Sequence, residues 1–196
     1  MTVEYLFERL YKIKKNETIL FHAAAGGVGL IACQWARSVG CQMIGTVSTE
    51  EKAKLAKENG CKFIINYKNE NISKRVMEIT ENKGVSVVYD GVGKDTFDES
   101  IKSLAIRGLM VSFGQSSGMV EKMDMHKTFN PKSLFYTRPS LMGYTLNRKE
   151  LLDCSDNLFK KMKDGQIKAN IFKKFKLEEA QIAHKIIQSR ESIGSI

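Results

Sequence analysis

The chain has 196 residues, of which 42% are hydrophobic, so it is long and apolar enough for one large domain with a buried core. No apolar run reaches the roughly 18 residues of a membrane-spanning helix, and the first residues lack the apolar core and cleavage site of a secretory signal, so we expect neither segment. The net charge of +9 comes from lysines dispersed among acidic residues. Solvated surfaces explain most of this charge, and nucleic acid is kept only as a less favoured partner.

Helices and strands are predicted to alternate along most of the chain. Apolar residues at helical spacing, glycines after them and short β-branched runs set the boundaries. Ser48 or Thr49 is expected to cap the helix that follows the second strand. The interval 114–139 carries both prolines and is predicted to be mostly loop with some short helix. The predicted helices are 3–13, 28–39, 50–59, 72–81, 94–104, 150–163 and 177–189, and the predicted strands are 18–22, 42–47, 63–66, 85–90, 108–113, 140–144 and 171–175.

The most informative segment joins the first core strand to the helix after it. It reads Ala24-x-Gly26-x-x-Gly29, with alanine where the dinucleotide-binding pattern has its first glycine. Glycine lets phosphates approach the backbone, and the start of a helix presents unpaired N–H groups and a partial positive charge. The alternative is an ordinary strand-to-helix turn of another α/β protein. The strand at 42–47 completes a β-α-β unit of ~30 residues, which favours the dinucleotide site.

The alternation of elements also predicts the fold class. Five near-continuous apolar strands separated by helices are typical of a parallel sheet that is covered on both faces. With a sixth strand at 140–144, we expect a Rossmann-type, doubly wound α/β fold with a mainly parallel six-stranded sheet. Residues 1–15 are interpreted as a linking helix, 16–144 as the β/α units and 145–196 as C-terminal helices of one nucleotide-binding domain.

The tip of the second strand indicates which nucleotide binds. An NAD site places a carboxylate there to bind the ribose 2′-OH, whereas Ser48 and Thr49 offer hydroxyl groups and Lys52 follows one turn later. A 2′-phosphate would be repelled by a carboxylate and held by a lysine, so the sequence favours NADP(H). Glu50 and Glu51 leave NAD(H) open, although acidic residues in the first turn of a helix also suit its dipole.

Neither the cysteines nor the histidines form a metal-binding or catalytic pattern. The four cysteines, at positions 33, 41, 61 and 154, include no Cys-x-x-Cys pair and have no histidine at ligand spacing. Free thiols in a reducing cytoplasm are the expected state. His22 is interpreted as a strand-end residue, and no catalytic role is assigned to it, to His126 or to His184.

A set of motifs runs through the chain in a fixed order. They are Ala-Ala-Ala-Gly-Gly-Val-Gly at 23–29, Gly-Thr-Val at 45–47, Ile-Asn-Tyr at 65–67, Val-Tyr-Asp-Gly-Val-Gly at 88–93, Arg-Gly-Leu-Met-Val-Ser-Phe-Gly at 107–114 and Thr-Arg-Pro-Ser-Leu at 137–141. Together they resemble the NADPH:quinone oxidoreductases, the zinc-free, zeta-crystallin-like branch of the medium-chain dehydrogenase/reductase superfamily. The resemblance covers nearly the whole chain.

The resemblance implies roles for matching residues around NADPH. Its pyrophosphate would lie on the glycine turn, its adenosine end and 2′-phosphate near the second and third strands, and its nicotinamide half along the fifth strand and the domain junction. Each side chain also has an ordinary structural alternative, such as core packing for Phe113 or helix-end charge for Arg190. In that order the implied residues are Gly26, Gly27 and Val28; Ser48, Lys52, Tyr67 and Arg190; and Phe113, Gly114, Arg138, Thr2 and Tyr5.

The resemblance also implies what the chain does and what it lacks. Such enzymes carry an N-terminal GroES-like catalytic domain that is not found in these 196 residues, so we expect a cofactor domain with little or no activity alone. The intact parent would transfer hydride from NADPH to a quinone. A homodimer joined at the sheet edge near 140–144 and a cytoplasmic location are also expected. The alternative function is a non-catalytic NADPH-binding or RNA-binding module.

Overall fold

A single sheet of six parallel strands forms the centre of the protein in a computed structural model, which describes residues 1–189 and 193–196. The strand order is β3-β2-β1-β4-β5-β6, so the order reverses between β1 and β4. This confirms the predicted Rossmann-type fold. The strands are β1 Thr18–Phe21, β2 Gln42–Val47, β3 Phe63–Asn66, β4 Val85–Asp90, β5 Leu104–Ser112 and β6 Phe135–Thr137.

Helices connect the strands and cover both faces of the sheet. The first, α1, continues directly into a π-helical segment at Tyr5–Leu10, and short 3-10 helices occur at Asn130–Lys132, Met142–Tyr144 and Leu177–Glu179. The α-helices are α1 Thr2–Glu4, α2 Gly27–Val39, α3 Glu50–Glu58, α4 Ile72–Ile79, α5 Phe97–Ser103, α6 Met125–Phe129, α7 Arg148–Lys163 and α8 Ala180–Gln188.

The central strands are buried on both faces because each is apolar at successive positions. In β1, Ile19 and Phe21 join one hydrophobic cluster, whereas Leu20 between them joins the other. The first cluster also takes Trp35 from α2, and the second takes Val76 from α4. Burial of both faces explains why these strands are near-continuous hydrophobic runs rather than alternating ones.

The sixth strand lies earlier than the sequence predicted. Residues 140–144 were predicted to form it, but β6 is Phe135–Thr137, which pairs with β5 from Leu109 to Val111. Pro139 has no N–H to donate to a sheet, and the Ser140 hydroxyl accepts a hydrogen bond from the Gly143 amide at 3.2 Å. The chain therefore turns after Pro139 into a 3-10 helix, and the prediction of a strand there was wrong.

Three other elements differ from the prediction by more than two residues at an end. The N-terminal helix ends at Leu10 rather than at residue 13, and its π-helical turn brings consecutive residues into the core. The helix predicted at 94–104 is shorter, and β5 begins at Leu104, where an irregular stretch includes Arg107 with a φ of 59°. The strand predicted at 171–175 is reduced to one isolated bridge between Ile171 and Ser195.

Candidate functional site

The glycine-rich turn after β1 carries the candidate site. The chain leaves β1 through Ala23, whose φ of 55° lies in the left-handed region. The Ala23 amide donates to the Thr46 hydroxyl at 3.2 Å, and the Gly26 amide donates to the Ala23 carbonyl at 3.0 Å. Gly26 is the N-cap of α2, so the first amides of this 13-residue helix open at the carboxyl edge of the sheet. Such a helix start attracts the diphosphate of a nucleotide.

Two glycines in the turn lie close to other parts of the chain. A Cβ on Gly29 would lie 2.6 Å from both the carbonyl carbon and the carbonyl oxygen of Ala24, so only glycine lets α2 approach the end of β1. A Cβ on Gly27 would meet the Ser195 hydroxyl at 2.6 Å, because the C-terminal segment lies against the turn. The Gly194 amide donates to the Ala25 carbonyl at 3.0 Å and anchors that segment.

A cleft of about 450 Å³ opens beside the turn, at the carboxyl ends of the strands. This volume lies within the range of small-molecule sites. In an open α/β sheet the ligand crevice is expected at this edge, where the strand order reverses. The cleft is lined by Ala23, Ala25, Gly26, Thr46, Val47, Ser48, Lys52, Tyr67, Glu70, Asn71, Ile72, Val92, Asp95, Thr96, Glu99, Ser116 and Ile187.

The structure brings part of the predicted site together in this cleft. Gly26, Ser48, Lys52 and Tyr67 all line it. Thr49, and not Ser48, caps α3, because its hydroxyl accepts a hydrogen bond from the Lys52 amide at 3.2 Å. Partial burial lowers the pKa of the Lys52 side chain, and the Glu51 carboxylate opposes this shift. Lys52 therefore places an ammonium group on the wall formed by the tip of β2 and the start of α3.

Three carboxylates around the cleft accept hydrogen bonds from the protein's own donors. Glu50, the acidic residue nearest the tip of β2, accepts a hydrogen bond from the Asn66 amide side chain at 3.1 Å. Glu70 accepts from the Asn66 backbone amide at 2.8 Å, and Glu99 accepts from the Ser73 amide at 2.9 Å. These bonds hold the three carboxylates to the loops and helices that carry them.

The second group of predicted residues lies outside the lining of this cleft. Phe113 follows β5, and its ring lies 5.6 Å from the ring of Phe21. Arg138 donates to the Ser112 carbonyl at 2.7 Å and to the Gln115 side chain at 2.7 Å, so it joins the ends of β5 and β6. Gly114 is packed closely on the loop after β4.

The remaining predicted residues belong to the N-terminal helical segment, the turn and the C-terminal region. Tyr5 stacks on Tyr144 with ring centroids 4.9 Å apart, and burial raises the pKa of Tyr5 to about 12. Thr2 begins α1, one turn before Tyr5. Gly27 and Val28 form the first residues of α2. Arg190 lies outside the described residues.

Sequence reasoning missed several residues of the cleft wall. Thr46, Asp95, Thr96 and Ser116 were not predicted, although each lies in or after a strand whose carboxyl end reaches this edge. The rule that ligands bind at the carboxyl ends of parallel strands was the signal that could have found them. This rule predicts the edge of the sheet at which a ligand binds. Which side chains line the cleft there depends on loop conformations that the sequence pattern does not specify.

The comparisons with known proteins agree with this geometry. The profile of the zinc-binding dehydrogenase family matches residues 27–161. The chain belongs to this family. Among residues 1–189 and 193–196 of this family member, no group of three or more His, Cys, Asp or Glu side chains is arranged to hold a metal ion.

Individual relatives are similar to this chain over its whole length. Quinone oxidoreductase 1 of Escherichia coli is 49% identical, and a 2-haloacrylate reductase of a Burkholderia species is 44% identical. Both alignments cover 100% of this chain, which spans about 60% of the length of those relatives. A crystal structure of E. coli quinone oxidoreductase in complex with NADPH superposes with a TM-score of 0.96 at 50% identity and covers 99% of this chain and 60% of that one. The predicted resemblance is confirmed.

Proposed function

We propose that the chain is an NADP(H)-binding domain and that NADPH occupies the cleft beside the glycine turn. The observation that carries the proposal is the combination of a helix start at Gly26 with Lys52 on the wall of the same cleft. Backbone amides at the start of α2 would bind the pyrophosphate, and the Lys52 ammonium would bind the 2′-phosphate. The E. coli enzyme crystallised with NADPH supports this choice of nucleotide.

The adenosine end would lie between the tips of β2 and β3. Ser48 offers a hydroxyl group there, and Tyr67 offers an aromatic ring that is 39% exposed. A carboxylate near the tip of β2 would favour a free 2′-OH, but that of Glu50 accepts a hydrogen bond from the Asn66 side chain instead. We therefore expect NADPH to bind more tightly than NADH. Arg190 is proposed as a second contact to the phosphate from the sequence resemblance alone.

The nicotinamide half would extend from the pyrophosphate toward the ends of β5 and β6. Phe113 and Gly114 would line its path, and Arg138 would hold the two strand ends in register through its bonds to Ser112 and Gln115. Thr2 and Tyr5 would border the same region from the N-terminal helical segment. NADPH, when bound, supplies the hydride, and these residues would orient the nicotinamide ring and exclude water from one of its faces.

For the whole protein we propose hydride transfer from NADPH to a quinone. The identity to E. coli quinone oxidoreductase 1 supports this activity, and the haloacrylate reductase identity makes other electron-poor alkenes the second substrate class. We also propose a homodimer that pairs the exposed edge at β6, where Phe135 is 62% exposed. A cytoplasmic location is proposed from the four cysteines, all of which are free thiols. In the part of the chain that the structure describes, no helix is long and apolar enough to cross a membrane.

Calorimetric titration tests the binding step, and turnover assays test the activity. NADPH should bind the chain with a stoichiometry of one per chain, and NADH should bind more weakly. A folded sample that shows no heat of binding at millimolar NADPH would disprove the proposed binding. The whole protein should oxidise NADPH when a benzoquinone or naphthoquinone is added. Failure with every quinone, together with turnover of haloacrylates, would assign the second substrate class.

A further inference from the structure

A continuous line of buried polar groups runs beneath the glycine turn. His22 Nδ1 lies 3.1 Å from the Thr46 hydroxyl, and His22 Nε2 lies 2.9 Å from the Ser100 hydroxyl. Ser100 in turn donates to Asp90 Oδ2 at 2.8 Å. All four side chains belong to residues that are at most 1% exposed. The line thus connects the ends of β1, β2 and β4 with α5, directly below the candidate cofactor cleft.

The donors and acceptors fix the protonation of the His22 ring. The Thr46 oxygen already accepts from the Ala23 amide, so the Thr46 hydroxyl proton is available for Nδ1. Ser100 gives its own proton to the Asp90 carboxylate, so its oxygen needs a donor, which is the Nε2–H group. One neutral tautomer, with the proton on Nε2, therefore satisfies every group in the line. The opposite tautomer would leave the Thr46 proton without a partner in this line and make Nε2 and Asp90 compete for the single Ser100 proton.

Both ends of this line hold backbone that borders the cleft. At one end, Thr46 binds the amide of Ala23 through its hydroxyl and the amide of Ala24 through its carbonyl, at 3.2 and 3.0 Å. Ala23 needs such support because a non-glycine residue with a φ of 55° is conformationally strained. At the other end, Asp90 Oδ1 accepts from the Val92 and Gly93 amides at 2.8 and 3.0 Å and so fixes the loop after β4.

The arrangement is unsuited to nucleophilic chemistry. In a Ser-His-Asp triad the histidine lies between the serine and the aspartate. Here Ser100 lies between His22 and Asp90, and its hydroxyl donates to the Asp90 carboxylate. Ser100 is also fully buried, so no substrate could reach its oxygen. The charged groups that face the His22 ring are Asp90, whose Oδ2 lies 4.0 Å from Nε2, and Glu99 in α5. The remaining use of the line is to hold the two loops in place.

We propose that His22 is a positioning residue for the cofactor turn: as the neutral Nε2–H tautomer it orients Thr46, which fixes the left-handed Ala23 from which the phosphate-binding amides of α2 follow. The same ring, through Ser100 and Asp90, fixes the loop on the other side of the cleft. His22 touches no cofactor atom in this role. The inference rests on the proposed NADPH site for its functional consequence, whereas the tautomer and the clamp on Ala23 are properties of the chain alone.

The tautomer is tested by NMR on the wild-type chain labelled with 15N at histidine. The chain has three histidines, and the spectrum of a His22→Gln variant identifies the signals of His22. The inference predicts a neutral ring with its proton on Nε2 at neutral pH, and no conversion to the charged form in the mildly acidic range in which an exposed histidine titrates. A proton on Nδ1, or a ring that titrates as an exposed histidine does, would overturn it.

The clamp is tested by a matched pair at Thr46. Thr46→Val keeps the shape and removes the hydroxyl, whereas Thr46→Ser keeps the hydroxyl. In Thr46→Val we expect faster hydrogen exchange at the Ala23 amide and a dissociation constant for NADPH raised about tenfold, which corresponds to about 1.4 kcal/mol. Thr46→Ser should resemble the wild type in both measurements. His22→Gln, which can still donate to Ser100 but no longer accepts from Thr46, should resemble Thr46→Val.

The outcomes separate this inference from the proposed function. Wild-type chain that does not bind NADPH would defeat the proposed function, and the tautomer and the Ala23 exchange rate would still decide the clamp. In a second outcome, the wild-type chain binds NADPH, and folded Thr46→Val binds it equally well and protects the Ala23 amide from exchange equally well. This outcome would disprove the positioning role and leave the proposed NADPH site intact. If Thr46→Val fails to fold, the wild-type NMR spectrum and the His22→Gln titration give the decision.

Discussion

The Ser195 hydroxyl lies 2.6 Å from the position that a Cβ on Gly27 would occupy. Gly27 is thus in contact with the C-terminal segment, which is held there by the Gly194 amide and by the bridge from Ser195 to Ile171. This contact favours glycine at position 27 whether or not a phosphate is bound. Gly26 lines the cleft, whereas the position of a Cβ on Gly27 faces the C-terminal segment, so a side chain would meet different neighbours at the two glycines.

The two packing glycines should differ in how much an added methyl group destabilises the fold. Gly29→Ala would collide with the backbone of Ala24, which cannot move aside, so we expect a loss of about 3 kcal/mol or more in the free energy of unfolding. Gly27→Ala would meet a hydroxyl group that can rotate away, so we expect a loss below about 1 kcal/mol. Urea denaturation measures both. Gly27→Ala combined with Ser195→Ala should restore wild-type stability, and equal losses for the two single variants would contradict this account.

Lys52 should determine the preference for NADPH over NADH. Lys52→Met keeps the length of the side chain and removes its charge, so we expect NADPH to bind about 10-fold to 100-fold more weakly, since a hydrogen bond to a charged group contributes roughly 1.5–3 kcal/mol. Binding of NADH should stay unchanged, and Lys52→Arg should retain the preference. Parallel fluorescence titrations with the two nucleotides give the ratio. Equal weakening of both would show that Lys52 does not contact the 2′-phosphate.

The same side chain predicts an alkaline limit to NADPH binding. Burial lowers the pKa of Lys52 from its ordinary value of 10.5, so its positive charge is lost at a lower pH than that of an exposed lysine. Affinity for NADPH should therefore decline as the pH rises toward that lowered pKa, while affinity for NADH stays level. Lys52→Arg, whose guanidinium stays charged, should remove the decline. A wild-type affinity that is independent of pH up to the ordinary lysine value would contradict this prediction.

His22 should make the fold less stable in mild acid. Burial lowers the pKa of His22 from 6.5, and the opposing effects of Asp90 and Glu99 do not reverse the shift. Below pH 6.5 the unfolded chain binds a proton that the folded chain does not, so stability that is present above that value is lost as the pH falls toward the folded-state pKa. Urea denaturation at about pH 7.5 and about pH 5.5 should show this loss in the wild type and a smaller one in His22→Gln. Equal losses would assign the acid sensitivity to other groups.

The proposed dimer depends on an accessible edge at β6. Phe135→Lys places a charge on the exposed end of this strand, and lysine on an edge strand opposes pairing with a second sheet. We expect the variant to be monomeric in analytical ultracentrifugation with an unchanged circular dichroism spectrum. Met142→Lys is the control, since Met142 is 80% exposed but lies in the 3-10 helix after the strand. Dissociation by Met142→Lys and not by Phe135→Lys would place the interface elsewhere.

The interior strands of the sheet were predictable because burial on both faces makes them short hydrophobic runs. The strands 42–47 and 85–90 match the structure residue for residue, since each is a short, largely apolar run inside the sheet. The edge strand 63–66 also matches, and its last two residues are buried. The opposite edge was not predictable in the same way. β6 has three residues with Phe135 largely exposed, so no hydrophobic pattern marks it, and the apolar residues at 141–144 gave a false signal.

The candidate site follows the same division. Gly26, Ser48, Lys52 and Tyr67 could be placed from their positions after strands, because parallel strands bring their carboxyl ends to one edge. The line through His22 could not, because its partners Thr46, Asp90 and Ser100 lie at distant positions in the sequence. The register of β1 with β2 and β4 and the position of α5 bring them together. A lone histidine at a strand end gives no sign of such partners.

A crystal structure of the chain grown with saturating NADPH tests the central claim most directly. The account predicts the pyrophosphate on the amides at the start of α2, from Gly26 to Val28, and the 2′-phosphate within hydrogen-bonding distance of the Lys52 ammonium. It also predicts an Ala23 backbone that keeps its left-handed conformation and its bond to Thr46. A nucleotide bound elsewhere, or a glycine turn that stays bare while NADPH saturates the crystal, would contradict it.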